Sequence, residues 1–188
     1  MARPCRLNVA GAMYHVTARG NRRQPIFVSD ADYGRFLAIL GDVSARLTWK
    51  VCAYCLMPNH YHVVVETAGA DLSVGMHRLN STYAHWFNQR HDIDGHLFQS
   101  RFYSGLVTSD WHVLELSRYV ALNPVRARLC ASPDDWHWSS YRAVIGVDAV
   151  PPFLAPELLL GFFGENPAEA MRAFRSFVHD AAARPLAA

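Results

Sequence analysis

His60 and His62 stand two residues apart in Met57-Pro58-Asn59-His60-Tyr61-His62-Val63-Val64-Val65-Glu66. The valines and the tyrosine, with no Gly or Pro after Asn59, favour a strand over 60–66. On a strand, residues i and i+2 project from the same face. Both imidazoles then converge from one rigid element, with room for one divalent ion between them. A histidine pair on a half-exposed strand, holding nothing, satisfies the same spacing. The rest of the chain has to decide between the two readings.

A second stripe with chemical potential lies on an expected helix over 111–129. Glu115, Tyr119, Asn123 and Arg126 fall at i, i+4, i+8 and i+11, so they share one face. Leu114, Leu116, Val120 and Leu122 supply apolar packing around it. A tyrosine in a polar stripe suits either a side chain aimed into a site or a solvated face with its ring half buried. Cys52 and Cys55 form a C-x-x-C, a spacing that serves zinc or redox sites. It lies within an expected strand, where positions three apart face opposite sides, so buried reduced thiols are the better reading. Among 18 basic residues only Lys50 is a lysine, and residues 1–29 carry Arg3, Arg6, Arg19, Arg22 and Arg23 with no acid. Arginine-favouring codon usage accounts for the first fact. An anion-facing N-terminal segment is the sharper reading of the second, because guanidinium groups bind phosphate bidentately.

The elements that must position these side chains can be read in order. Residues 12–19 form a first strand, and Gly20-Asn21-Arg22-Arg23-Gln24-Pro25 a basic loop. Asp30 caps a helix over about 31–47. A second strand follows at about 49–57, then a Pro58-Asn59 turn, and the histidine strand returns antiparallel. Asp71 or Ser73 opens a long helix to about 90. A fourth strand lies near 102–107 and the tyrosine helix follows. Trp136-His137-Trp138-Ser139-Ser140-Tyr141 leads into one short helix. Pro151-Pro152 marks a linker, and two short amphipathic helices, about 156–163 and 167–181, finish the chain. The order is β-α-β-β-α-β followed by helix, an α+β fold of the split ferredoxin-like type with an antiparallel sheet. The first and third strands are then central. The expected division is a main domain over 1–150 and a helical tail over 151–188 packed on it. The 188 residues and their 51% hydrophobic fraction suffice for one core. No apolar run reaches the length of a membrane span, and Asn8, His15 and Arg19 interrupt any signal-peptide pattern, so the expected compartment is the cytoplasm.

His60-Tyr61-His62 after Met57-Pro58-Asn59, together with Tyr119-Val120-Ala121-Leu122-Asn123-Pro124-Val125-Arg126-Ala127, resembles the single-tyrosine HUH transposases, in particular the REP-associated tyrosine transposases. Tyr14-His15-Val16-Thr17, Arg19-Gly20-Asn21-Arg22-Arg23, Gly95-His96-Leu97-Phe98-Gln99-Ser100-Arg101 and the Trp-rich segment extend the likeness over about 10–180. Tyr61 departs from the aliphatic residue more usual between the two histidines, but it should face away from the site.

The resemblance implies cleavage of single-stranded DNA through a covalent 5′-phosphotyrosine, with a free 3′-hydroxyl as the other product. It implies Tyr119 as nucleophile, and His60, His62 and Asn123 as ligands of Mg²⁺ or Mn²⁺. Hairpin or single-stranded DNA is the implied partner, with Arg3, Arg6, Arg19, Asn21, Arg22, Arg23, Arg101 and Arg126 as candidate contacts. It also implies a monomer, with the apolar face of the tail folded back on its own domain, and a dimer interface is the alternative use of that face. Two other readings share these residues: a hairpin-binding regulator that does not nick, and a metallohydrolase with no covalent step. His77, His85, His91, His112, His137 and His179 lack ligand-like spacing and are expected at the surface or in structural roles.

Overall fold

The computed structural model describes residues 8–182 of the chain. Its core is β1 (Met13–Arg19), α1 (Asp30–Leu47), β2 (Lys50–Met57), β3 (His60–Glu66), α2 (Leu72–His91) and β4 (Tyr103–Leu106). The four strands form one antiparallel sheet in the order β2-β3-β1-β4. β1 and β3 are central, as the sequence pattern predicts. α3 (Asp110–Arg126) follows, then α4 (Tyr141–Val144), α5 (Glu157–Leu160) and α6 (Pro167–Ala182). Among the described residues no helix is long and apolar enough to cross a membrane.

Strand alternation divides the sheet into two faces. Tyr61, Val63 and Val65 of β3 point toward α1 and α2. Tyr61 is fully buried, packs on Phe36 of α1 with ring centroids 4.7 Å apart, and donates its hydroxyl to Asn80 Oδ1 of α2 at 2.7 Å. This is why an aromatic fits between the two histidines. His60 and His62 point the other way, toward α3.

Several local expectations are corrected. Ser29, not Asp30, caps α1, and its backbone N–H donates to Asp32 Oδ2 at 2.7 Å. Burial alone would push the Asp32 carboxyl up, but hydrogen bonds from His91, Val28 and Ser29 outweigh it and hold the group below the usual range. α3 ends at Arg126 rather than 129, with Pro124 inside its last turn and Arg128 in the left-handed region. A bulge between Val51 and Ala53 resets the alternation of β2. Cys52 therefore lies against Ser117 of α3, and Cys55, paired with His62, faces the same side. Both thiols are nonetheless buried and free. Pro151-Pro152 does not introduce a detached linker. The next residues run beside β2, with Val51 N–H donating to Phe153 O at 3.1 Å and Ala155 N–H to Val51 O at 2.9 Å. The Trp-rich segment covers the rest of that edge. Leu56 N–H donates to Trp138 O at 2.8 Å, and the Trp138 ring stacks on Tyr33 at 4.5 Å. An otherwise bare strand edge is thereby closed.

The basic loop is tied to the tight turn between β2 and β3. Gly20 N–H donates to Asn59 O at 2.8 Å, and Ile26 N–H to Pro58 O at 2.8 Å. Arg22 and Arg23 both hold positive φ, 51° and 61°. The chain doubles back so tightly that a Cβ on Gly20 would sit 2.0 Å from Gln24 O. Gly20→Ala is therefore expected to destabilise the protein by about 1–3 kcal/mol in urea unfolding, because backbone must move to make room. Wild-type stability in that variant would show that the loop is not held this way.

Candidate active site

The site forms where the central strands face α3. β1 presents His15, Thr17 and Arg19 on the face that carries His60 and His62, with Thr17 opposite His62 and Arg19 opposite His60. α3 is capped by Ser109, whose side chain accepts from His112 N–H at 3.2 Å. It buries Val113, Leu116, Val120 and Leu122 and turns Tyr119 toward the histidines. The Tyr119 ring stands edge-on to His62, centroids 5.5 Å apart, and 6.3 Å from His15. Tyr119 is 38% exposed and lines an open cleft. The Arg126 guanidinium lies 5.2 Å from the Tyr119 ring centre.

Hydrogen bonds fix how each nitrogen is used. Asn59 Nδ2 donates to Arg23 O at 3.1 Å, so its Oδ1, 2.7 Å from His60 Nδ1, must accept. His60 therefore carries its proton on Nδ1 and leaves Nε2 as a bare donor atom. His62 Nδ1 lies 2.9 Å from His15 Nε2, while His62 Nε2 is buried with no hydrogen-bond partner. Asn123 is buried one helical turn after Tyr119. It donates Nδ2 to Tyr119 O at 2.9 Å, which leaves its Oδ1 lone pairs unspent. Two neutral imidazole nitrogens and an amide oxygen are atom types that suit a divalent cation when the nitrogens carry no proton. Among the described residues no group of three or more His, Cys, Asp or Glu side chains is arranged to hold a metal ion.

Burial sets the charge state of the imidazoles. It pushes His62 down to about 3, helped by His15, His60 and Arg19. Burial and then Arg19 push His60 down to about 4, and burial with His112 does the same for His15.

A cleft of about 480 Å³ opens here, lined by Arg19, His60, His62, Tyr119, Asn123 and Arg126 among others. These six residues were singled out in the sequence, and the fold brings them to one place. Asn21, Arg22 and Arg23 are exposed on the adjoining loop. Arg101 lies elsewhere, in a second cleft of about 690 Å³ beside α2, which shares Gln99 with the first. Arg3 and Arg6 lie outside the described residues. Sequence reasoning missed His15 as a site residue, along with Thr17, Gln99 and the side-chain role of Asn59. The alternation of His15, Thr17 and Arg19 with buried Tyr14, Val16 and Ala18 was the available signal for β1. His91 and His179 prove structural, bonded to Asp32 at 2.9 Å and Asp134 at 2.8 Å.

Residues 8–123 match the family of IS200-like transposases, and the chain belongs to that family. Its fold is that of a REP-associated tyrosine transposase solved bound to a REP hairpin. The TM-score is 0.67 at 18% identity, over 82% of this chain and 92% of that one. A structure from Deinococcus radiodurans R1, described as a candidate transposase, matches at a TM-score of 0.44 and 17% identity, over 63% of this chain and 95% of that one. No curated relative matches the chain.

The three depressed histidines give the metal-free protein a defined acid response. An unfolded histidine titrates near 6.5, whereas these titrate at about 3 to 4 in the fold. The unfolded chain thus binds more protons at these groups between those values, so their effect is a loss of stability as pH falls below about 6.5 and no change above it. Urea midpoints in EDTA should decline from pH 7 to pH 4, and less steeply in His15→Phe. A midpoint independent of pH over that range would contradict the burial of these rings.

Proposed function

We propose that this transposase nicks and rejoins single-stranded DNA beside a hairpin, with Tyr119 as nucleophile. The observation that carries the reading is the approach of Tyr119 to His62, in an open cleft where two imidazole Nε2 atoms have no other task. The phenolic oxygen attacks the scissile phosphorus and its proton passes to solvent. The bond from phosphorus to the 3′-oxygen breaks, and that oxygen takes up a proton from solvent. A 5′-phosphotyrosine and a free 3′-hydroxyl result. Because the phosphotyrosine stores the bond energy, a different 3′-hydroxyl can reverse the step without ATP.

His60, His62 and Asn123 would hold Mg²⁺ or Mn²⁺, and the bound ion supplies Lewis-acid stabilisation of charge on the phosphate oxygens. Arg19 and Arg126, on the cleft wall, grip the phosphates flanking the cut. Asn21, Arg22 and Arg23 hold the hairpin backbone, with Arg3, Arg6 and Arg101 as further contacts. The edge-on Tyr119 ring is pinned by Arg126, by the His62 ring and by the helix beneath it, which orients the hydroxyl for in-line attack. The working unit is a monomer of two parts, 1–150 and the tail 151–188, with Tyr119 acting in cis. Two features support this: the tyrosine lies over the histidines of its own chain, and α6 buries Phe174 and Val178 against that chain.

Tyr119→Phe removes the attacking hydroxyl and keeps the ring. Covalent adduct with a single-stranded hairpin oligonucleotide should disappear on a denaturing gel. Hairpin affinity should change by under about 1 kcal/mol. Adduct at wild-type yield would sink the assignment, and absence of adduct from the wild type on every hairpin tried would favour a regulator that only binds. Arg22→Ala with Arg23→Ala should do the reverse. Binding weakens and the slope of log K against log salt flattens by roughly 1.5, while adduct yield at saturating DNA holds. An unchanged salt slope would remove the loop from the DNA interface.

A further inference from the structure

His15 is the one polar ring at the site to which the proposed chemistry gives no task. Its Nε2 lies 2.9 Å from His62 Nδ1, and the two rings meet edge to edge and nearly coplanar, with centroids 5.2 Å apart and 15° between their planes, the geometry of an in-plane N–H···N bond. A single proton fits between those nitrogens, so two arrangements compete for the neutral pair. If His15 donated, the His62 proton would sit on Nε2. That N–H would be buried without an acceptor, on the side of the cleft that also holds Arg19. If His62 donates from Nδ1, its Nε2 presents a lone pair there instead. Either fault carries a desolvation cost, but a neighbouring guanidinium repels an N–H and attracts a lone pair, so the second arrangement is favoured. On the neighbouring ligand the same result is reached independently, since Asn59 Oδ1 can only accept from His60 Nδ1.

We infer that His15 is a positioning residue: its Nε2 accepts the Nδ1 proton of His62 and holds that ring with its Nε2 lone pair facing the cleft. His15 is not a ligand and touches no reacting atom. Such an outer partner fixes both the tautomer and the plane of a metal-binding imidazole and raises its basicity. The use of this arrangement rests on the metal reading above, but the tautomer is a property of the metal-free chain.

Long-range ¹H–¹⁵N correlation spectra of the ¹⁵N-histidine-labelled, metal-free protein at neutral pH read the tautomer directly, with His62→Ala identifying the signal. His62 should show a protonated Nδ1 and a bare Nε2. In His15→Phe, which keeps an aromatic ring at the position but offers no acceptor, His62 should move toward the Nε2–H form. Mn²⁺ affinity followed by electron paramagnetic resonance should fall about 10–100-fold. His15→Gln, whose Oε1 accepts the same proton, should recover most of that loss. A dominant Nε2–H form of His62 in the wild type overturns the inference, as does Mn²⁺ binding by His15→Phe as tight as wild type. If wild type shows the expected tautomer yet binds no Mn²⁺, the positioning role stands and the metal reading fails.

Discussion

The pairing of β1 with β3 sets the site. Because side chains alternate, a slip of one residue on either strand would send its whole polar set to the opposite face. In the observed register, Thr17 opposes His62 and Arg19 opposes His60, and the diagonal neighbour His15 meets His62. The apolar residues between them hold that register in place. Tyr14, Val16, Ala18, Tyr61, Val63 and Val65 are all buried on the face covered by α1 and α2. The core on one side of the sheet therefore fixes the chemistry on the other.

α3 completes the site from above, and the C-terminal segment backs α3. Arg118, ion-paired with Glu115 on α3, lies over the Phe177 ring of α6 at 4.5 Å. Arg175 and His179 of α6 reach Asp134 at 2.8 Å each. The Arg118 contact is made by the residue next to Tyr119, and the Asp134 contacts tie α6 to the turn that follows α3. The loop over residues 20–24 plays a comparable part on the other side. Asn59 joins the Arg23 carbonyl to His60, so the basic loop and a site imidazole share one side chain.

The sheet order and the stripe joining Tyr119 to Asn123 were legible in the sequence because both follow from simple periodicities. The histidine pair was legible for the same reason, and it was the motif that pointed to the family. What escaped depended on contacts between distant segments. His15 looked like one more strand residue, since its partner lies 47 positions away. The bulge in β2 put Cys52 and Cys55 on one face, and no composition signal marks an extra residue in a ladder. Phe153 to Ala155 read as the far side of a proline linker because edge pairing to β2 leaves no periodic trace in three residues. Asp30 reads as the cap because aspartate suits that position, whereas the bond from Ser29 N–H to Asp32 Oδ2 places the cap one residue earlier.

The central claim is that the ring poised over His62 is the group that becomes joined to DNA. Trypsin cuts after Arg118 and after Arg126, so Tyr119 is released in a peptide, 119–126, that contains no other tyrosine. Mass spectrometry of that digest, after nuclease trimming of a trapped protein–DNA complex, tests the claim most directly. The account predicts that this peptide gains the mass of a 5′-linked nucleotide and that fragmentation places the addition on its first residue. The same mass on a peptide carrying exposed Tyr103, with 119–126 unmodified, would contradict it.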